Sequence, residues 1–134
     1  MADFKFELVS PEQLLLSEMV TAVVIPATEG EMTVMANHAP TMTTIKPGIV
    51  SVRTAAGAKK DYVVFGGFAD ILPTGCTLLA ESAVPIDELH RDELTRRIEA
   101  AQAELNDATH HEHKSKLEHF IMELTHLRGN VIRD

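Results

Sequence analysis

Along the first 85 residues, apolar positions come in short bursts with a period of two. Phe4, Phe6 and Leu8 alternate with Lys5 and Glu7, the spacing of a half-buried strand. Leu14-Leu15-Leu16, Val20–Ile25, Gly48–Thr54, Asp61–Phe65, Phe68–Leu72 and Cys76–Ala80 read as further short strands. Pro47-Gly48 has the chemistry of a type II turn, with proline presetting φ and glycine accepting a positive one. Ala56-Gly57 and Pro73-Thr74-Gly75 mark two more turns. Gly66-Gly67, inside a strand pattern, predicts a bulge or a close approach of two backbones. The gaps are too short for crossover helices, so the pattern predicts an antiparallel sandwich or small barrel and not a parallel α/β sheet.

The pattern changes at Pro85. All six prolines and six of the seven glycines lie at or before it. Beyond it Leu89, Leu94, Ile98, Ala101 and Leu105 recur at helical spacing, with Asp87 as a candidate N-cap. Asn106-Asp107-Ala108-Thr109 predicts a break, with Thr109 or Asp107 capping a second helix. Leu117, Phe120, Ile121, Leu124 and Leu127 form the second stripe, and Gly129-Asn130 predicts its end. Two domains follow: residues 1–85 a β-sandwich, residues 86–134 an antiparallel helical hairpin. A large apolar side chain contributes about 1.5–3 kcal/mol when buried, while ordering a backbone residue costs about 1–2 kcal/mol. A hairpin with so few apolar positions must rest on the β domain or on another protein, and a segment with two resting places can act as a switch.

Charge narrows the partners. The 134 residues carry 12 basic and 20 acidic side chains, a formal charge of −8. Both halves are acidic. That argues against nucleic acid, whose phosphates need a positive field, and against adsorption to anionic lipid. No run approaches the length of a membrane span, and the opening Met-Ala-Asp-Phe-Lys-Phe lacks the basic-then-apolar order of a signal peptide. The single cysteine, Cys76, excludes an internal disulfide and reads as a small buried side chain in a reducing compartment, not a nucleophile.

Catalytic motifs are absent. There is no phosphate-cradling loop, no dinucleotide fingerprint, no H-E-x-x-H and no G-x-S-x-G. His110, His111 and His113 cluster where the hairpin turns, but no carboxylate or cysteine completes a ligand pattern, so they read as a solvated turn. His119 and His126, seven apart, read as surface. No cofactor or metal is expected.

A series of phrases carries a resemblance: Val9-Ser10-Pro11-Glu12, Glu29-Gly30-Glu31, Asn37-His38-Ala39-Pro40, Ile45-Lys46-Pro47-Gly48 and Gly66-Gly67-Phe68. In this order and spacing, followed by a helical hairpin, they resemble the epsilon subunit of F-type ATP synthases over essentially the whole chain. The resemblance implies an N-terminal sandwich of about ten strands and a two-helix C-terminal domain. It implies a non-catalytic rotor subunit of the central stalk. The sandwich would bind the gamma subunit and the membrane c-ring, and couple proton flow to ATP synthesis. The C-terminal helices would reach the alpha and beta subunits and modulate hydrolysis. It places the subunit on the cytoplasmic face of a bacterial inner membrane. Glu29, Gly30 and Glu31 would face the c-ring, with His38 and Pro40 near the same junction. Read from the residues alone, Glu29, Glu31 and His38 are ordinary solvated loop positions. The competing reading is a stand-alone adaptor, which predicts a pool independent of membranes.

The chain departs from the family pattern at two points. Asn37 stands where many relatives have glycine, and asparagine tolerates the positive φ such a turn needs. Some relatives bind ATP at a phrase opening the first helix. Here Ile86, Asp87 and Leu89 fit it, but His90 takes the arginine position and Glu88 and Asp92 repel phosphate, so no ATP site is expected. Lys114, Lys116 and Arg128 on the second helix are balanced by Glu112, Glu118 and Glu123. Electrostatic braking of hydrolysis is therefore expected to be feeble, and truncation after Pro85 to change hydrolysis only modestly.

Overall fold

The computed structural model describes residues 3–89 and 91–130. The chain divides into two compact units between Pro85 and Ile86.

Among the described residues the first unit holds seven strands: β1 (Phe4–Val9), β2 (Leu14–Ala27), β3 (Gly30–Val34), β4 (Thr41–Thr54), β5 (Lys59–Leu72), β6 (Gly75–Ala80) and β7 (Ala83–Pro85). Neighbours run in the order β1-β6-β5-β4-β2-β3. β1 also pairs with β2, antiparallel, while its pairing with β6 is parallel. Five strands therefore close on one another, which removes their free edges. β3 extends the sheet beyond β2, and β7 pairs with β5.

The seven strands replace the ten implied by the resemblance because three of them, β2, β4 and β5, each run for 14 residues. Each changes phase once, so that one strand serves both layers around the core. On β2 the inward residues are Leu16 and Val20, then Val23 and Ile25, with a register shift between Val20 and Ala22. On β4 they are Ile45, then Val50 and Val52; on β5, Tyr62 and Val64, then Ala69 and Ile71. Counting the halves separately recovers ten. The core they enclose is completed by Phe4, Phe6 and Leu8 of β1 and Cys76 and Leu78 of β6.

The reading of Pro47-Gly48 as a turn is corrected. Both residues lie inside β4, opposite Phe65 and Val64 of β5. Glycine is needed at 48 because the Pro26 ring occupies the place of a side chain: a Cβ there would sit 2.7 Å from Pro26 Cβ. The gaps expected between Leu16 and Val20 and between Phe65 and Phe68 are likewise strand interior. Gly57, at φ +94°, forms the β4–β5 turn as expected.

The second unit begins with a 3-10 turn, Ile86–Glu88, followed by α1 (Arg91–Asp107) and α2 (His111–Asn130). Asp87 sits within the 3-10 turn, not at the cap of α1. Asp107 is the last residue of α1, and His110 takes the position before α2, where its carbonyl accepts the Lys114 N–H at 3.0 Å. α2 runs through Gly129 and ends at Asn130, the second residue of the expected stop. Contacts between residues far apart in sequence define the antiparallel pairing: His113 Nε2 lies 3.1 Å from Glu104 Oε1 near the turn, and Arg128 donates to Thr95 Oγ1 at 3.1 Å near the other end. Leu94, Ala101, Leu117, Leu124 and Leu127 are buried. No helix among the described residues is long and apolar enough to cross a membrane.

Candidate interaction surfaces

The most unusual surface of the first unit is produced by its glycines. Gly66 and Gly67 adopt φ of +115° and +132°, a conformation that shifts β5 from one face to the other. Gly67 also lies against the backbone of Leu79 and Ala80, where a side chain has no room. This is the close backbone approach expected from the sequence. Phe68, next in the chain, consequently points outward and is 46% exposed.

Strand register lines Phe68 up with other outward apolar residues. Phe68 faces Leu79 on β6, Leu79 faces Val9 on β1, and Val9 faces Leu14 on β2. Leu79 is 42% and Leu14 56% exposed. This apolar row crosses four strands and is bordered by a polar row, Asp70-Thr77-Glu7-Ser17. Met42, opposite Asp70, is also exposed, as is Leu72 at the end of β5. Scattered exposed apolar residues are ordinary, whereas a contiguous band marks a contact surface.

The sequence-predicted loops fall on different parts of this unit. Thr28 and Glu29 form the turn between β2 and β3, Gly30 opens β3, and Glu29 and Glu31 are exposed. Gly30 has φ +137°, and Thr28 ties the turn to β4 by donating its N–H and its hydroxyl to the Thr44 carbonyl, each at 2.9 Å. The loop bearing His38 and Pro40 leaves the other end of β3. Asn37 there has φ +64° and donates its N–H to the Pro73 carbonyl at 3.0 Å, which sets the loop beside the β5–β6 turn. His38 Nδ1 donates to the Ala39 carbonyl at 2.9 Å, and Thr41 Oγ1 donates to the same oxygen at 3.1 Å. Among the described residues no hydrogen bond joins the two loops. The His38 loop runs into Met42 at the border of the apolar band. Glu31 instead lines a cleft of about 410 Å³ with Ala22, Val24, Ser51, Val52, Arg53 and Lys59.

Two further features bear on chemistry. Cys76 is buried, and its thiol is pushed up to about 12 by loss of solvation, with the Asp70 charge adding to the effect. At the hairpin turn His110, His111, Glu112, His113 and Lys116 line an open hollow of about 510 Å³. Among the described residues no group of three His, Cys, Asp or Glu side chains is arranged to hold a metal ion. Ile86, Asp87 and Leu89 of the degenerate nucleotide phrase lie in and after the 3-10 turn, and His90 is outside the described residues.

Comparison with known proteins gives these surfaces a context. Residues 3–86 match the family described as ATP synthase, Delta/Epsilon chain, beta-sandwich domain. The chain belongs to the ATP synthase delta/epsilon family. Two Rhizobium proteins, from R. etli CIAT 652 and R. leguminosarum bv. trifolii WSM2304, each named ATP synthase epsilon chain, are 84% identical to it over 135 residues and the full length of both chains. Among solved structures, a chain of the Euglena gracilis mitochondrial ATP synthase assembly containing OSCP, F1 and c-ring superposes with a TM-score of 0.73 at 29% identity. That match covers 95% of this chain and 80% of the other. The β-domain of the family thus accounts for the first unit, and the apolar band is a feature that family membership alone did not single out in the sequence. It joins Val9 and Leu79, 70 positions apart, through register, a relation that no local pattern reveals.

Proposed function

We propose that the chain is a non-catalytic central-stalk subunit of an F-type ATP synthase, coupling rotation of the proton-driven c-ring to the gamma shaft on the cytoplasmic face of a bacterial membrane. The observation that carries this reading is the apolar row Phe68-Leu79-Val9-Leu14 on the outside of a closed ring of five strands. A joint in a rotor transmits load. Moving one charge across 100 mV releases about 2.3 kcal/mol, so the joint needs the extent of a permanent interface, roughly 2,000 Å² or more. Large apolar side chains supply about 1.5–3 kcal/mol each when covered, and a rigid closed sheet transfers strain without unpairing an edge.

On this reading the apolar band, flanked by His38 and Pro40, receives the gamma subunit. The turn Glu29-Gly30-Glu31, exposed and held to β4 through Thr28, meets the polar loops of the c-ring. The helical unit reaches alpha and beta subunits, and its mixed charges make it a weak brake on hydrolysis.

The test is add-back of the chain to solubilised synthase stripped of it. Wild type is expected to co-purify with gamma, alpha and beta chains and to restore coupling of proton flux to ATP synthesis. Phe68→Asp combined with Leu79→Asp is expected to abolish both, because two carboxylates would be buried without partners. Full retention and coupling with that double variant would overturn the reading.

A further inference from the structure

The cleft between β2 and β4 is built differently from the apolar band. Arg53 of β4 and Lys59 of β5 are direct cross-strand partners, and both are exposed. Like charges directly opposite destabilise an antiparallel pair. The arrangement also runs against the composition, since acidic groups outnumber basic ones 20 to 12. Compensation within the chain is slight. Lys59 Nζ is 4.0 Å from Asp61 Oδ2, while the Arg53 guanidinium has no hydrogen bond or ion pair among the described residues. By contrast the neighbouring Lys60 is paired with Glu18 at 2.9 Å. Ala22 and Val24 give the cleft an apolar floor, and Glu31 closes it on the side away from the two cations.

We propose that this cleft receives an acidic segment of a neighbouring protein subunit, its carboxylate held between Arg53 and Lys59. The inference rests on the stalk reading and extends it to a second contact. A planar guanidinium beside an ammonium suits a carboxylate that one group grips in two-point fashion and the other neutralises. An apolar floor suits the β-carbons of an extended peptide. The Asp61 carboxylate beside Lys59 leaves the cleft too little net positive charge for a dense array of anionic headgroups, while a single peptide carboxylate still fits between the two cations. The acidic segment removes the like-charge penalty that the free sheet carries.

The experiment is rebinding of fluorescently labelled full-length chain to synthase stripped of it. Arg53→Glu is the informative variant, because it sets opposite charges across the strand pair. It is expected to melt no lower than wild type and yet to bind about tenfold more weakly at low salt, with Arg53→Gln between the two. Stability unchanged or raised together with weaker binding separates a lost contact from a damaged fold. Rebinding of Arg53→Glu equal to wild type overturns the inference. So does a loss that appears only when anionic lipid surrounds the enzyme, which would assign the cations to headgroups. Wild-type chain that fails to rebind at all overturns the stalk reading, and this inference with it.

Discussion

Gly67 lies against the backbone carbonyl of Leu79 on the adjacent strand, with no space for a β-carbon between them. The same two strands carry Phe68 and Leu79 outward as partners. The close approach and the apolar band are therefore one device: the glycine pair reverses the facing of β5, and the strand that it presses against supplies the next apolar residue of the band.

Gly67→Ala is expected to destabilise the chain by about 3 kcal/mol, from the positive φ and the backbone clash together. Gly66→Ala is expected to cost less. A Cβ there would lie 3.3 Å from the Glu81 carboxylate, the movable end of a side chain. Urea unfolding of the two variants tests the order. Gly66→Ala proving the costlier would show that the Leu79 contact does not limit the fold.

Lys60 donates to Glu18 at 2.9 Å across β5 and β2. That hydrogen bond is the main cause raising Lys60 above its ordinary pKa of 10.5, assisted by the Glu18 charge and opposed by desolvation. A group raised in the folded state stabilises it fully below the unfolded pKa, and the contribution disappears as pH climbs through the folded one. Wild type is thus expected to exceed Lys60→Gln in denaturation midpoint at neutral pH, with the gap closing only in strong alkali. A gap that closed between pH 6 and 9 would contradict this assignment.

Cys76 should be inert in the native chain at pH 8, since burial holds the thiol protonated with a pKa of about 12. A chromogenic disulfide reagent is expected to react with it only at the rate of unfolding, and at once in denaturant. Rapid labelling of native protein would show that the strand β6 opens locally.

In the helical unit Leu124→Ala is expected to cost about 2–5 kcal/mol, because Leu124 is fully buried. Glu104→Gln breaks an exposed pair with His113, 48% and 59% exposed at the two side chains, and is expected to cost under about 1 kcal/mol. Thermal melts of both variants distinguish apolar packing from the charged clip as the source of hairpin stability.

ATP is expected to bind neither unit. Acidic side chains fill the approach to α1, with Asp87 and Glu88 in the 3-10 turn and Asp92 and Glu93 in the first helical turn. Calorimetric titration showing micromolar affinity would refute this.

Much of the β unit was legible because alternation survives wherever one face is buried. Phe4-Lys5-Phe6-Glu7-Leu8 and Cys76–Ala80 became β1 and β6 almost residue for residue. The errors share one cause. Ser17-Glu18-Met19, Pro47-Gly48 and Gly66-Gly67 interrupt the apolar pattern, and each lies in the middle of a 14-residue strand. Glu18 is held there by Lys60, Gly48 by the Pro26 ring and Gly67 by the Leu79 backbone. All three explanations come from another strand, so local chemistry could only suggest breaks between short strands. β3 was missed because Met32 and Val34 alternate over too few residues. Of the surfaces, Glu29, Glu31 and His38 stood out only through the resemblance. Arg53 and Lys59 are six residues apart in sequence, and only the β4–β5 register shows that they oppose each other.

The parallel pairing of β1 with β6 has a consequence for how the molecule is made. The first strand synthesised has one of its two partners near residue 80, so a nascent chain on the ribosome cannot close the ring of strands until most of the β unit has emerged. Until then the hydrogen-bonding groups along one side of β1 are unpaired, and the long separation makes closure a slow step. Translation pauses soon after that point would give the ring time to shut before the helical unit emerges.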